Sequence, residues 1–170
     1  MTFNAAEKHQ SQVPAIQLLV ALGFTPLSQE ETLRLRGGRL RNVVLDDILA
    51  EQLMRINRFR HRGREYAFDL EDAHEAMRRL KPTPDRLKGL RGTNQDIYDT
   101  LVLGTTITKS IDGDSKSYSF RYIDWERPEN NVFHVTAEFS VERTASSQTK
   151  RCDIVAFVNG IPILVIENKR

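Results

Sequence analysis

Three ionisable residues close to the end of the sequence have the types and spacing for phosphodiester chemistry: Asp153, Glu167 and Lys169. Asp153 opens one apolar run, Glu167 and Lys169 close a second, and Asn159-Gly160 lies between them as a hairpin signal. In an extended strand, residues i and i+2 share a face, so Glu167 and Lys169 project side by side. Charges on a strand otherwise made of Ile, Leu and Val cost free energy unless they are paired or bind something. Two carboxylates supply hard oxygen ligands for Mg²⁺, which takes one or two of them and keeps several waters. Such an ion polarises a phosphodiester and acidifies a bound water, and a neighbouring lysine stabilises the negative charge that develops. The plain alternative is a Glu167–Lys169 surface salt bridge, with Asp153 as a loop acid.

Strand register decides whether these groups can meet. In a regular hairpin with a two-residue Asn159-Gly160 loop, Val158 pairs with Ile161 and Asp153 lies opposite Ile166, facing away from Glu167. One extra residue returns Asp153 and Glu167 to one face, because a one-residue slip flips every side chain. The chemistry therefore predicts a three-residue loop with Gly160 in a left-handed bulge, or a bulge near Asp153.

The preceding elements must carry this hairpin. Residues 14–22 read as a helix with Pro14 in its first turn and Gly23 after its end. Leu33 to Arg36 alternates like a strand. Asn42 is placed to cap a helix reaching Asn57, with Leu45, Ile48, Leu49, Leu53 and Ile56 as its apolar stripe. Asp69, with Asp72 three residues on, caps a helix from Leu70 to Leu80 that Pro82 and Pro84 stop. Asn94 caps a helix through Leu103. From there the period becomes two, with strands at residues 118–125 and 132–143. In the second, Phe133, Val135, Ala137, Phe139 and Val141 make one face. Asp124 and Glu138 read as solvated acids. The expectation is one domain over residues 1–170, helical to about 104 and β-rich after it. Its fold class is α/β or α+β, helices followed by a mixed or antiparallel sheet.

Composition narrows the classes. The 170 residues are 39% hydrophobic and 28% charged, which suits a globular domain with a real core. No apolar run approaches the roughly 18 residues that span a bilayer. A single cysteine, Cys152, excludes an internal disulfide framework and suits a reducing cytosol. The four histidines make no zinc spacing. Net charge is +2, yet residues 34–91 hold 15 Lys/Arg against 9 Asp/Glu. The densest part is Arg55, Arg58, Arg60, Arg62 and Arg64, a pattern compatible with phosphate-backbone binding or with a solvated surface.

The residues from Cys152 to Pro162, followed by Ile166-Glu167-Asn168-Lys169, resemble the N-terminal nuclease region of the restriction (R) subunit of type I restriction-modification enzymes. That family shows a D-I-V-x-F-V-N-G-L-P run and then E-x-K. Asp124 to Phe133 is similar to its D-x-x-x-P-x-x-N-x-F segment, and Gln12 to Gly23 and Asn94 to Gly104 to its helices. The resemblance implies a PD-(D/E)xK nuclease with a restriction-endonuclease-like core, in which Asp153 and Glu167 bind Mg²⁺ and Lys169 is the catalytic lysine. It also implies another acid on an early helix, for which Glu7 is the nearest residue. Cys152 stands where the family usually has proline. By the same resemblance the partners are double-stranded DNA and the specificity and methyltransferase subunits, with no membrane, in a bacterial or archaeal cytoplasm. ATP would enter only through motor domains of a longer parent protein, and the chain reads as a fragment ending before the helix and strand that complete the core. Two other readings stay open: a non-catalytic DNA- or subunit-docking module that is itself inactive, and a Mg²⁺ nuclease outside the type I systems.

Overall fold

The computed structural model describes residues 11–81, 89–143 and 148–167. Backbone packing divides the chain into two compact units, Met1–Leu49 with Val132–Arg170, and Ala50–Asn131. The architecture mixes helices with antiparallel and parallel strand pairing, as an α/β or α+β class requires.

In the first unit, helix α1 (Val13–Ala21) starts on Pro14 and is followed by the short strand β1 (Thr25–Leu27). Helix α2 (Gln29–Leu35) comes next. It replaces the strand expected at Leu33–Arg36. Ser28 and Glu31 form a reciprocal capping box at its start, and that local hydrogen bonding outweighs the Leu-Arg alternation. The first turn of α3 (Asp46–Ile56) also belongs here. Asn42 is not its cap: it lies four residues upstream, and its amide donates to Asp46 Oδ2 at 2.5 Å.

Strands β6 (Phe133–Glu142), β7 (Thr149–Val158) and β8 (Ile161–Ile166) complete a four-stranded sheet in the order β1-β6-β7-β8. β1 pairs parallel to β6, and the other neighbours are antiparallel. The sheet carries an apolar cluster on each side. Leu35, Leu45, Phe139, Val155 and Phe157 form one, and Leu19, Val135 and Ile154 form the other.

This distribution corrects the expected single face of β6, because Val135 and Phe139 lie in different clusters. Glu138 between them adopts φ +56°, a left-handed conformation that breaks the period-two alternation. Burial of one residue set thus passes from one side of the sheet to the other halfway along the strand.

The second unit is also rich in strands. β2 (Arg58–His61) and β3 (Arg64–Ala67) form a hairpin, as do β4 (Thr105–Ile111) and β5 (Asp114–Phe120). The strand expected at 118–125 therefore ends at Phe120. Helix α4 (Leu70–Arg79) has the expected Asp69–Asp72 capping box, whereas α5 (Gly89–Leu103) starts at Gly89 and not at Asn94. The core here is aromatic: Phe59 packs on Tyr118 with ring centroids 4.4 Å apart and on Phe68 at 4.7 Å, and Phe68 meets Phe120 edge-on.

Candidate functional site

The β7–β8 hairpin turns through Asn159 at φ +51° and Gly160 at φ +82°, the paired left-handed residues of a type I′ turn. Asn159 is fully buried; its N–H donates to the Val132 carbonyl, and its Oδ1 accepts from the Val132 N–H, both at 2.9 Å. Leu45 N–H donates to the Gly160 carbonyl at 2.9 Å. A Cβ on Gly160 would stand 2.7 Å from the Leu45 carbonyl oxygen, so only glycine lets the turn approach α3 this closely.

The turn itself is the regular two-residue kind, with Val158 paired to Ile161. The expected three-residue loop is absent. A bulge opposite Ala156 and Phe157 supplies the register change instead: Phe157 pairs with Pro162, but Ala156 pairs with Leu164. Ile163 is the extra residue, and below it Ile154 pairs with Ile166. The ladder ends at that pair; carried one step further, the register would set Asp153 opposite Glu167, which lies just beyond β8.

Cys152 is a neighbour of Glu167. Burial pushes its thiol pKa up, Glu167 raises it further by charge and by a hydrogen bond, and the Asp153 charge adds to the same direction. Glu167 also stands 3.4 Å from the Lys150 ammonium. The Asp153 backbone is pinned in place, its carbonyl accepting at 2.8 Å from the buried Gln12 amide.

Asp153 lies in β7 and Glu167 just past the end of β8, one step beyond the last paired residues. Lys169 and Glu7, the two other residues of the expected set, lie outside the described residues. Among the described residues no group of three or more His, Cys, Asp or Glu is arranged to hold a metal ion. Two carboxylates would suit Mg²⁺, which completes its shell with water.

Two acids read as solvated are not. Glu138 is opposite Asp153 by the β6–β7 register, between the pairs Ala137–Ile154 and Phe139–Cys152. Its side chain is only 15% exposed and accepts from the Gln29 amide at 2.8 Å. Asp124, 1% exposed, accepts from Arg121 Nη1 at 3.0 Å, the Asn130 amide at 2.8 Å and the Arg127 N–H at 3.1 Å. Those bonds, first that from Asn130, hold its carboxyl below the usual carboxylate range. It organises the Asp124–Asn131 loop and is structural. A sequence signal was present: Asn130 and Asn131 are short amides that can bond back to an acid six or seven residues earlier.

The arginine run is the β2–β3 hairpin and the helix end before it. Arg58 and Arg60 are on the exposed face of β2, with Phe59 and His61 buried on the other. Arg58 donates to the Met54 and Asn57 carbonyls at 2.5 and 2.8 Å, closing the C-terminus of α3. Arg55 donates to Gln52 Oε1 at 2.9 Å and to the Asn130 carbonyl. Arg62 occupies the turn at φ +47° with Asp114 3.7 Å away, and Arg60 faces Glu65 in register. Arg64 is exposed at the start of β3.

The family model for the type I restriction enzyme R protein N terminus matches residues 4–170. A relative in Methanocaldococcus jannaschii, a putative type I restriction enzyme MjaIXP endonuclease subunit, is 34% identical over 73 residues, covering 42% of this chain and 7% of the relative. The type I restriction enzyme HindI endonuclease subunit of Haemophilus influenzae is 28% identical over 114 residues, 59% of this chain and 11% of that protein. The chain thus spans a small part of the length of either relative. No solved structure matches.

Proposed function

We propose, because this chain belongs to the type I restriction enzyme R protein N-terminal family, that it is the DNA-cutting part of a restriction endonuclease subunit. The observation that supports the reading is the extra residue Ile163 in β8, a register shift that, continued one step past the Ile154–Ile166 pair, would put Asp153 opposite Glu167. Asp153 and Glu167 would hold Mg²⁺, whose chemistry is to draw charge from the phosphodiester and acidify a bound water. Gln12 fixes the β7 backbone at Asp153 through its carbonyl. Lys150 holds the Glu167 carboxylate by charge. Lys169, two residues beyond Glu167, would stabilise the negative charge that builds on the phosphate oxygens.

Double-stranded DNA is the proposed substrate, and the exposed arginines of the β2–β3 hairpin would contact its backbone. We assign ATP use to motor domains of a longer parent protein and sequence recognition to specificity and methyltransferase subunits. No described helix is long and apolar enough to cross a membrane.

The test uses the intact multi-subunit assembly. Asp153→Ala and Lys169→Ala should each abolish cleavage of supercoiled DNA while ATP hydrolysis continues. Undiminished cutting by both variants refutes the assignment. Loss of ATP hydrolysis as well would point to misassembly, which Lys169→Arg and Asp153→Asn would then separate from chemistry.

A further inference from the structure

An open groove of the second unit, about 450 Å³, plays no part in the Asp153–Glu167 site. Phe59, Tyr118, Phe120, Arg58, Arg121 and Trp125 are among the residues that line it. Trp125 is 59% exposed. Burying an indole is among the larger apolar gains a side chain offers, and Trp125 forgoes most of it. The ring is nevertheless held: its N–H donates at 3.1 Å to the Leu101 carbonyl in the last turn of α5, an acceptor that the helix leaves unsatisfied. With its polar end fixed, the indole leaves a rigid π-face to the groove. Val102 and Leu103 extend the same exposed surface at 41% and 82%.

Charge selects the occupant. Arg58 is both a groove residue and the first residue of the exposed β2 face, and Arg60 follows on that face, roughly 6–7 Å along the strand. Arg62 and Arg64 continue the basic hairpin, with Glu65 in β3 and Asp114 beside Arg62 as the neighbouring acids. Arg121 is engaged by Asp124 and by Glu126 at 3.6 Å, so it frames the groove more than it charges it. A rigid aromatic face beside a line of arginines matches one ligand chemistry, a nucleobase stacked on the ring with its backbone phosphates on the cations. Stacking needs an exposed base face, which paired duplex DNA does not present.

We propose that the Trp125 groove binds an unpaired base of a DNA strand whose phosphates run over Arg58 and Arg60. The proposal rests on the DNA reading above. It adds a site that prefers single-stranded or locally opened DNA.

Trp125 is the chain's single tryptophan, so its fluorescence reports on the groove alone. The full chain is titrated, in EDTA, with a 15-nucleotide oligothymidylate and separately with a blunt 15-base-pair duplex. Anisotropy of end-labelled DNA is followed in parallel. Oligothymidylate should quench Trp125 saturably, and the duplex should bind with little quenching. Trp125→Leu should weaken oligothymidylate binding about 5- to 150-fold, Trp125→Phe much less, with duplex affinity unchanged in both. Arg58→Ala should reduce the salt slope of oligothymidylate binding by about one. Anisotropy showing binding with unaltered Trp125 fluorescence, or wild-type affinity in Trp125→Leu, overturns the groove assignment and leaves the DNA reading standing. Failure of both DNAs to bind refutes the two together. If the other subunits alone shield Trp125 from acrylamide quenching, the groove belongs to a protein partner, and the proposal fails.

Discussion

The hairpins β7–β8 and β2–β3 share a turn and almost nothing else. Both pass through two left-handed residues ending in glycine, Asn159-Gly160 at +51° and +82°, and Arg62-Gly63 at +47° and +82°. In the first, the turn is packed against Leu45 and Leu49, the strands are apolar, and the acids lie at the far rim. In the second, the turn is open, one strand face is buried aromatic, and the other carries arginine. Identical backbone conformation therefore says nothing about role. What surrounds the turn fixes it, and under the proposed function the two surroundings would take opposite ligands: a cation at the acidic rim and a polyanion on the basic strand.

The turns offer the largest expected contrast. Gly160→Ala adds left-handed strain of about 1–2 kcal/mol and overpacking of about 1–3 kcal/mol against Leu45. Gly63→Ala incurs the strain alone, since nothing lies within 4 Å of its added Cβ. Urea denaturation should show the first variant distinctly less stable than the second. Equal losses would mean that the packing of the Asn159-Gly160 turn contributes nothing.

Asp124→Ala should cost about 2 kcal/mol, because it removes a buried acceptor of three hydrogen bonds, from Arg121, Asn130 and the Arg127 N–H. Its carboxyl pKa is lower folded than unfolded, so its stabilisation is complete above the ordinary carboxylate range. It is lost as pH falls through the lowered folded value. The gap between wild-type and variant stability should accordingly close on acidification; a constant gap would deny the carboxylate its role. A smaller effect is expected at Cys152. Its raised thiol pKa keeps it protonated at neutral pH, so alkylation should be slower than for a model thiol at pH 8. Glu167→Gln, removing one cause of the shift, should speed it. In the basic hairpin, Arg60→Ala should lower the salt slope of DNA binding by about one with no change in fold stability.

The contrast also explains what could be read in advance. Asn-Gly between apolar runs announces one hairpin, whereas Arg62-Gly63 gives no such signal because arginine seldom adopts a positive φ. Asp112-Gly113, which turns β4 into β5 at +51° and +79°, carried a recognised signal that the polar sequence around it obscured. The Asp69–Asp72 capping box was legible. Its counterpart Ser28–Glu31 lost to the Leu33–Arg36 alternation, although the cap decides the local structure. At the candidate site, the need for an extra residue followed from counting register, but its place at Ile163 did not. A bulge sits where the sheet must bend against its neighbours, and sequence does not show those neighbours. The inversion at Glu138 was illegible for the same reason.

Iron-directed cleavage of the protein backbone tests the central claim most directly. With Fe²⁺ as the only divalent cation, the intact subunit treated with ascorbate and peroxide should be cut near Asp153 and near Glu167, with residues 58–64 left whole. Both cuts should vanish in Asp153→Ala. Cuts that persist in that variant, or that fall elsewhere, would contradict a metal site built from the two facing carboxylates.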